Sequence, residues 1–312
     1  MDKIIEVKNL VKKYGDFTAV NGLTFDVYRG ETFSIIGPNG SGKTTTVEIL
    51  ECIRAPTSGE VKVLGYDVVK EDKKIKKRIG VLPQDFDAFD RLTVEENVRV
   101  IGEMYDSSLE VRELLEEFGL WEVRKRKYGK LSGGQKRKVG ICMAIVNDPE
   151  IVFLDEPTTG LDPKAREECW SVLEKLKDSG KTIFLTSHYM EEVERLGDRV
   201  SILYRGKMLD VGDIEDLVSR YGGGIKIVIK AKDLKYIKAM VDTLGEMSVD
   251  NGRVGAGRRE GVTFIVESKE EALELASKLI DIGVEFEIKE PSLEDVFLHL
   301  AEGVINERGE LV

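Results

Sequence analysis

The stretch "GPNGSGKTT", Gly37 to Thr45, constrains this chain more than any other. It follows the apolar run "TFSII" and leads into "VEILECI", so a buried strand passes through a glycine turn into a helix. Glycines let the backbone close around an anion, and the helix that follows points the positive end of its dipole at it. The loop Gly37, Pro38, Asn39, Gly40, Ser41, Gly42, Lys43, Thr44 and Thr45 is therefore expected to cradle nucleotide phosphates. Lys43 can reach the β and γ phosphates, and the Thr44 hydroxyl can ligate Mg2+. An ordinary glycine-rich strand-to-helix turn is the rival reading, and the correct flanks weigh against it.

Such a loop needs a second magnesium anchor, an acid at the end of a buried parallel strand. "IVFLDE" supplies Asp155. A carboxylate there also starts turns, but beside a phosphate loop the metal role is the better reading. Glu156 is next along the strand, and its side chain should point elsewhere than that of Asp155, free to orient an attacking water.

The alternation of strands and helices predicts an α/β fold. Strands are expected at "IIEVKNLVKKYG" and "LTFDVYRGE" as an antiparallel flank, then at "IGVLP", "EIVFLDE", "KTIFLTS" and "RVSILYRG". Helical patterns fall at 94–105, 109–118, 133–146, 163–179 and 189–196, which implies a mostly parallel sheet covered on both faces. Gly222, Gly223 and Gly224 read as a flexible joint, dividing residues 1–220 from a smaller domain at 221–312. The smaller domain reads as strand "IKIVIKA", helix 233–245, a weak strand near 246–250, strand "VTFIVES", helix 269–282, strand "VEFEIKE" and helix 292–302. That order is a ferredoxin-like α+β plait with an extra helix.

With 47 basic and 58 acidic residues the net charge is -11, which argues against a chain that wraps nucleic acid. The basic runs "KKIKKR" and "RKRK" read better as solvated helix faces. Cys52, Cys142 and Cys169 show no metal spacing or disulfide framework and read as buried thiols in a reducing cytosol. The N-terminal residues alternate and carry charge where an export signal is apolar, and no stretch approaches the roughly 18–20 apolar residues of a membrane span. Any membrane role is expected to come through a partner.

Six pieces in order carry a resemblance: the phosphate loop, Gln84 in "LPQD", "LSGGQ" at 131–135, "FLDEP" at 153–157, "GLD" at 160–162 and His188 in "TSHYM". They resemble the ATP-binding subunits of ABC transporters over residues 1 to about 220. The fold implied is a P-loop NTPase (ABC ATPase) domain with a helical signature subdomain. The resemblance implies an ATPase that binds ATP and Mg2+ and dimerises head to tail, as a homodimer. The turn Ser132, Gly133, Gly134 and Gln135 would then meet the γ-phosphate held by the partner's loop. A glycine turn opening a helix is itself an anion-binding N-terminus, which suits that task.

By the same resemblance Gln84 senses Mg2+ and water beside the membrane subunit, and Glu156 is the general base. His188 contacts the γ-phosphate and positions that base, and Asp162 lies at the dimer seam. Without the other motifs, Gln84 would be a polar loop residue and His188 a structural histidine. Tyr14 matches an aromatic that stacks on adenine in many members, with packing on the core as its rival. The basic "RKRKYGK" before the signature differs from the acidic segment of drug-pump exporters, so the chain leans away from that branch.

The ending "PSLEDVFLHLAEG" is similar to that of ATP-binding subunits paired with ABC-2 exporter permeases, the daunorubicin-resistance type among them. Ser292 and Asp295 suit a helix start, and Leu293, Val296, Phe297 and Leu300 form an apolar stripe. The expected function is a cytoplasmic ATPase, peripheral on the inner face of the membrane, driving a separate transmembrane permease in export. The alternative is a soluble ABC-type ATPase of translation or DNA repair. Such proteins usually carry paired cassettes, coiled-coil insertions or zinc-binding cysteine pairs, features this sequence lacks.

Overall fold

The computed structural model describes residues 2–230, 249–250, 261–281 and 283–302. The chain divides into two compact units, Met1–Ile214 and Glu215–Val312.

In the first unit, β1 (Lys3–Tyr14) and β2 (Phe17–Tyr28) pair antiparallel. With β4 (Ser58–Val63) and β5 (Tyr66–Asp67) they make a sheet of order β2-β1-β4-β5. The other sheet contains β3 (Thr32–Ile36), β6 (Ile79–Leu82), β7 (Ile151–Asp155), β8 (Thr182–Ser187), β9 (Arg199–Tyr204) and β10 (Lys207–Asp213). Its order is β10-β9-β3-β8-β7-β6, parallel except for β10. β3, β7 and β8 are buried at every residue, as their unbroken apolar runs require in a sheet covered on both faces.

Helix α1 (Lys43–Leu50) leads from β3 to β4 of the other sheet, while α6 (Pro163–Asp178) joins β7 to β8 and α7 (Met190–Leu196) joins β8 to β9. Helices α2 (Asp72–Lys76), α3 (Val94–Gly102), α4 (Val111–Glu117) and α5 (Gly133–Ile145) complete the unit. Aromatic rings join the two sheets. Phe25 of β2 stacks on Phe33 of β3 at 5.3 Å, and Phe184 lies 5.6 Å from Phe33 and 5.4 Å from Phe153. Each such ring contributes about 1.5–3 kcal/mol on full burial, and together they hold the bodies of the strands whose ends lead into the site.

The second unit contains β11 (Ile225–Lys230), β12 (Val249–Asp250), β13 (Gly261–Val266) and β14 (Phe286–Lys289), antiparallel in the order β12-β13-β11-β14. That is the strand order of a ferredoxin-like plait. Helix α9 (Lys269–Asp281) buries Ala272, Leu275 and Leu279 in one cluster with Ile225, Ile227, Ile229, Phe264 and Val266. Helix α10 (Leu293–Glu302) begins where the Ser292 amide and hydroxyl donate to Asp295, both at 3.2 Å, and it buries Leu293 and Val296. The helix expected over 233–245 lies outside the described residues.

Two expectations differ from the structure. The division at Ile214 groups α8 (Ile214–Tyr221) with the second unit, where Tyr221 sits 5.8 Å from the His299 ring. The glycines expected as a loose joint are close-packed at two positions. A Cβ on Gly222 would come 2.8 Å from Pro291, and one on Gly224 would come 2.2 Å from the Val266 carbonyl.

Candidate active site

The loop after β3 has the shape its glycines predict. Gly37, Gly40 and Gly42 have φ of 154°, 79° and 103°. A Cβ would fall 2.2 Å from the Leu203 carbonyl at Gly37 and 2.6 Å from the Ala19 carbonyl at Gly42, so the loop is threaded between β9 and β2 where only glycine fits. Pro38, Asn39 and Gly40 lead into the turn, while Ser41 and Lys43 are buried and Thr44 is exposed. Thr45 is half-buried. The buried Ser41 hydroxyl has no hydrogen-bond partner among the described residues.

Lys43 donates from Nζ to the Gly37 carbonyl at 2.8 Å and lies 3.7 Å from Oε1 of Glu156. Burial holds its pKa below that of a free lysine, and the charges of Glu156 and Asp155 oppose the shift.

Glu156 gathers the expected catalytic groups. Its Oε2 accepts from Gln84 Nε2 at 3.3 Å and from the Thr159 hydroxyl at 3.0 Å, and lies 3.1 Å from His188 Nδ1. Its backbone sits at φ 45°, a left-handed conformation uncommon for a glutamate. The Thr186 carbonyl and hydroxyl, each 3.1 Å from the Glu156 amide, hold it there. That turn separates the side chain of Glu156 from that of Asp155, which instead accepts a hydrogen bond from the Thr186 hydroxyl. Burial raises the Asp155 carboxyl above the usual aspartate range, the Thr186 hydrogen bond opposes this, and the Glu156 charge adds to it.

The structure thus brings Lys43, Thr44, Gln84, Asp155, Glu156 and His188 together from three strand ends and one helix start. The His188 ring also packs 4.1 Å from the Tyr189 ring and keeps 36% of its side chain exposed.

The second glycine turn forms a helix cap. The Ser132 hydroxyl accepts from the Gln135 amide at 3.3 Å, and Gln135 Oε1 accepts from the Ser132 amide at 3.2 Å, a reciprocal capping box at the head of α5. Ser132 and Gly133 are exposed, whereas a Cβ on Gly134 would come 2.9 Å from that of Ala165 on α6. Asp162 caps α6, accepting from the Ala165 amide at 3.0 Å. Tyr14 is 40% exposed, with Lys12 and Arg54 over its ring at 5.3 and 5.6 Å, so it does not pack in the core.

The profile of the family described as ABC transporter matches residues 20–159. The linearmycin resistance ATP-binding protein of Bacillus subtilis is 34% identical over 315 residues, covering 95% of this chain and 98% of that protein. The chain belongs to the ABC transporter ATP-binding proteins.

As an ABC ATPase, it has relatives of similar length with more than one name. A daunorubicin resistance ATP-binding protein of Streptomyces coeruleorubidus is 34% identical and covers 96% of each chain. The Nod factor export ATP-binding protein I of Rhizobium meliloti is 37% identical, covering 95% of this chain and 87% of that protein. Among solved structures, a dimeric ATP-binding cassette in a post-hydrolysis state with ADP and Pi is similar at TM-score 0.60 and 31% identity. It covers 67% of this chain and 98% of its own. An ATP-binding cassette in its ADP conformation has TM-score 0.64 at 26% identity, covering 79% of this chain and all of that one. ABC cassettes bind ATP, form dimers and act with transporter subunits.

Sequence reasoning misses Arg137, Thr159, Thr186 and Glu192 of this ABC ATPase. Thr186 stands in the quoted "TSHYM" and is within its reach. Glu192 is wholly buried, accepting from Thr158 at 2.7 Å and from the Trp170 ring nitrogen at 2.9 Å. Burial raises its carboxyl above the ordinary glutamate range and those hydrogen bonds oppose the shift. It braces the segment that follows Glu156, and no local motif announces it.

Proposed function

We propose that two copies of this ABC ATPase close head to tail on two ATP molecules, hydrolyse them, and thereby drive a separate membrane permease in export. The observation that carries the reading is the gathering of Lys43, Gln84 and His188 on the Glu156 carboxylate. The exposed Ser132 and Gly133 leave the signature turn open to a second copy. Export is supported by the relatives' names, which refer to drug resistance and Nod factor export. No helix among the described residues is long and apolar enough to cross a membrane, so the chain would be held at the inner face by its permease.

The loop Gly37–Thr45 and Lys43 would bind the phosphates, with the unpartnered Ser41 hydroxyl available inside the cradle. Mg2+, when bound, would supply charge neutralisation at the β and γ phosphates, held by Thr44, Asp155 and Gln84. The donor set fits: these are hard oxygen ligands, and Asp155 and Thr44 lie at the end of β7 and the start of α1 beside the same loop. No group of three or more His, Cys, Asp or Glu side chains poised for a metal occurs among the described residues, which suits an ion that takes one or two carboxylates plus substrate phosphates. Glu156 would orient water as general base, His188 would hold that carboxylate toward the γ-phosphate, and Ser132 and Gly134 would grip the phosphate bound by the other copy. Tyr14, exposed and electron-rich, would stack on adenine.

The test is to recover the tagged chain from native membranes and assay ATP-driven transport in vesicles. Recovery of a permease of about six spans and transport dependent on it supports the reading. Recovery with ribosomes or DNA instead would overturn it.

A further inference from the structure

Arg137 lies just over one turn inside α5, and its guanidinium reaches only backbone carbonyls. Nε donates to Pro157. One terminal nitrogen donates to Pro83 at 3.2 Å and Gln84 at 3.4 Å, the other to Asp155 at 3.1 Å and Glu156 at 2.9 Å. All five N–H groups of the fork are thereby used. Among the described residues no carboxylate hydrogen-bonds to it, so a largely desolvated cation is matched chiefly by peptide dipoles, with the Glu192 and Asp155 charges acting from farther off. Burial accordingly lowers its pKa, an arrangement that costs stability.

The placement of these carbonyls gives the arrangement its meaning. The pairing of β6 with β7 ends at Leu82 and Leu154. Pro83 and Gln84 on one side, and Asp155 to Pro157 on the other, lie beyond the last shared rung, so that ladder no longer fixes their separation. Arg137 spans the gap. The two segments carry Gln84 and Glu156, whose side chains meet at 3.3 Å.

We propose that Arg137 is a positioning residue for ATP hydrolysis: it sets the spacing of the Gln84 and Glu156 segments and ties both to the helix that begins at Ser132. This rests on the reading of Glu156 as the base. In the closed dimer, the helix gripping the neighbour's phosphate would then be the same one that aligns this chain's own catalytic groups. Lysine cannot replace it, since an ammonium presents its donors from one point and cannot reach both segments.

The test uses the full chain with Arg137→Lys and Arg137→Met, measuring thermal midpoint, affinity for a fluorescent ATP analogue, and steady-state turnover. Helix α5 remains anchored by its buried Val139, Ile141, Cys142 and Ile145, so Arg137→Lys is expected to fold. The expected result is a fall in kcat of about tenfold or more in both variants, with KM and analogue affinity within about threefold of native. Native kcat in Arg137→Lys overturns the proposal, and so does a parallel loss of binding, turnover and thermal midpoint in both variants. Glu156→Gln is assayed alongside: if it turns over at the native rate, the assignment of the base is what has failed. If Glu156→Gln is inactive while Arg137→Lys is native, only the Arg137 proposal falls.

Discussion

Lys43 and Glu156 lie 3.7 Å apart with side chains only 5% and 6% exposed, so each buried charge is the other's counter-ion. Removing one leaves the other unpaired in a desolvated site, which costs about 3–5 kcal/mol. Lys43→Met is expected to lower the thermal midpoint and weaken ATP binding at least about tenfold, the worth of one charged hydrogen bond. Adding Glu156→Gln to it should restore part of the midpoint but none of the binding. Thermal melts and nucleotide titrations of the single and double variants check both halves.

Two glycines of the phosphate loop should separate conformational strain from collision. Gly40 has φ 79° and open space around the position a Cβ would take, with nothing within 4 Å, so Gly40→Ala should cost about 1–2 kcal/mol. Gly42 has φ 103° and would place a Cβ 2.6 Å from the Ala19 carbonyl. Gly42→Ala is therefore expected to lose clearly more stability, together with ATP affinity, in denaturant titrations. Equal costs at the two positions would contradict the packing of the loop against β2.

His188 touches the Glu156 carboxylate at 3.1 Å from a partly exposed position. His188→Ala should leave the thermal midpoint near native and bind nucleotide within several-fold, while turnover falls about 100-fold or more. A variant that keeps native kcat would remove His188 from the mechanism.

Glu51, at the end of α1, is buried, and among the described residues one of its carboxylate oxygens lacks a partner. Burial, with smaller contributions from the Asp155 and Glu48 charges, raises its pKa from 4.5 to about 8. The folded state therefore holds a proton that the unfolded chain releases above pH 4.5. This stabilising contribution is full below that value and is lost as pH rises through about 8. Glu51→Gln should match native stability near pH 5 and exceed it at pH 8. Melting curves across that range read the divergence, and a constant offset at all pH values would contradict the protonated acid.

The loop Gly37–Thr45 is legible in the sequence because its pattern is local: strand, glycines, lysine and helix are contiguous. Asp155 and Glu156 are legible for the same reason, although the left-handed turn at Glu156 that separates their side chains is not. Arg137 is invisible because "KRK" reads as solvent-facing charge, and its role exists only once the fold brings residues 83–84 and 155–157 to it. β5 is too short to show a period, and charged and glycine residues interrupt the apolar runs of β4 and β10. The glycines after α8 read as a joint by composition, whereas Gly222 and Gly224 are close-packing positions that only neighbouring backbone reveals. Tyr14 reads two ways until its exposure shows that the core does not hold it.

In the proposed mechanism an ATP site is complete only when the signature turn of a second copy closes on it. Sedimentation of Glu156→Gln with ATP, with and without a second change Ser132→Arg, tests this most directly. Glu156→Gln is expected to form an ATP-dependent dimer and to stay a monomer at the same ATP concentration once Ser132 is replaced. An unaltered dimer in the double variant, or a Glu156→Gln chain that stays monomeric with ATP bound, would contradict it.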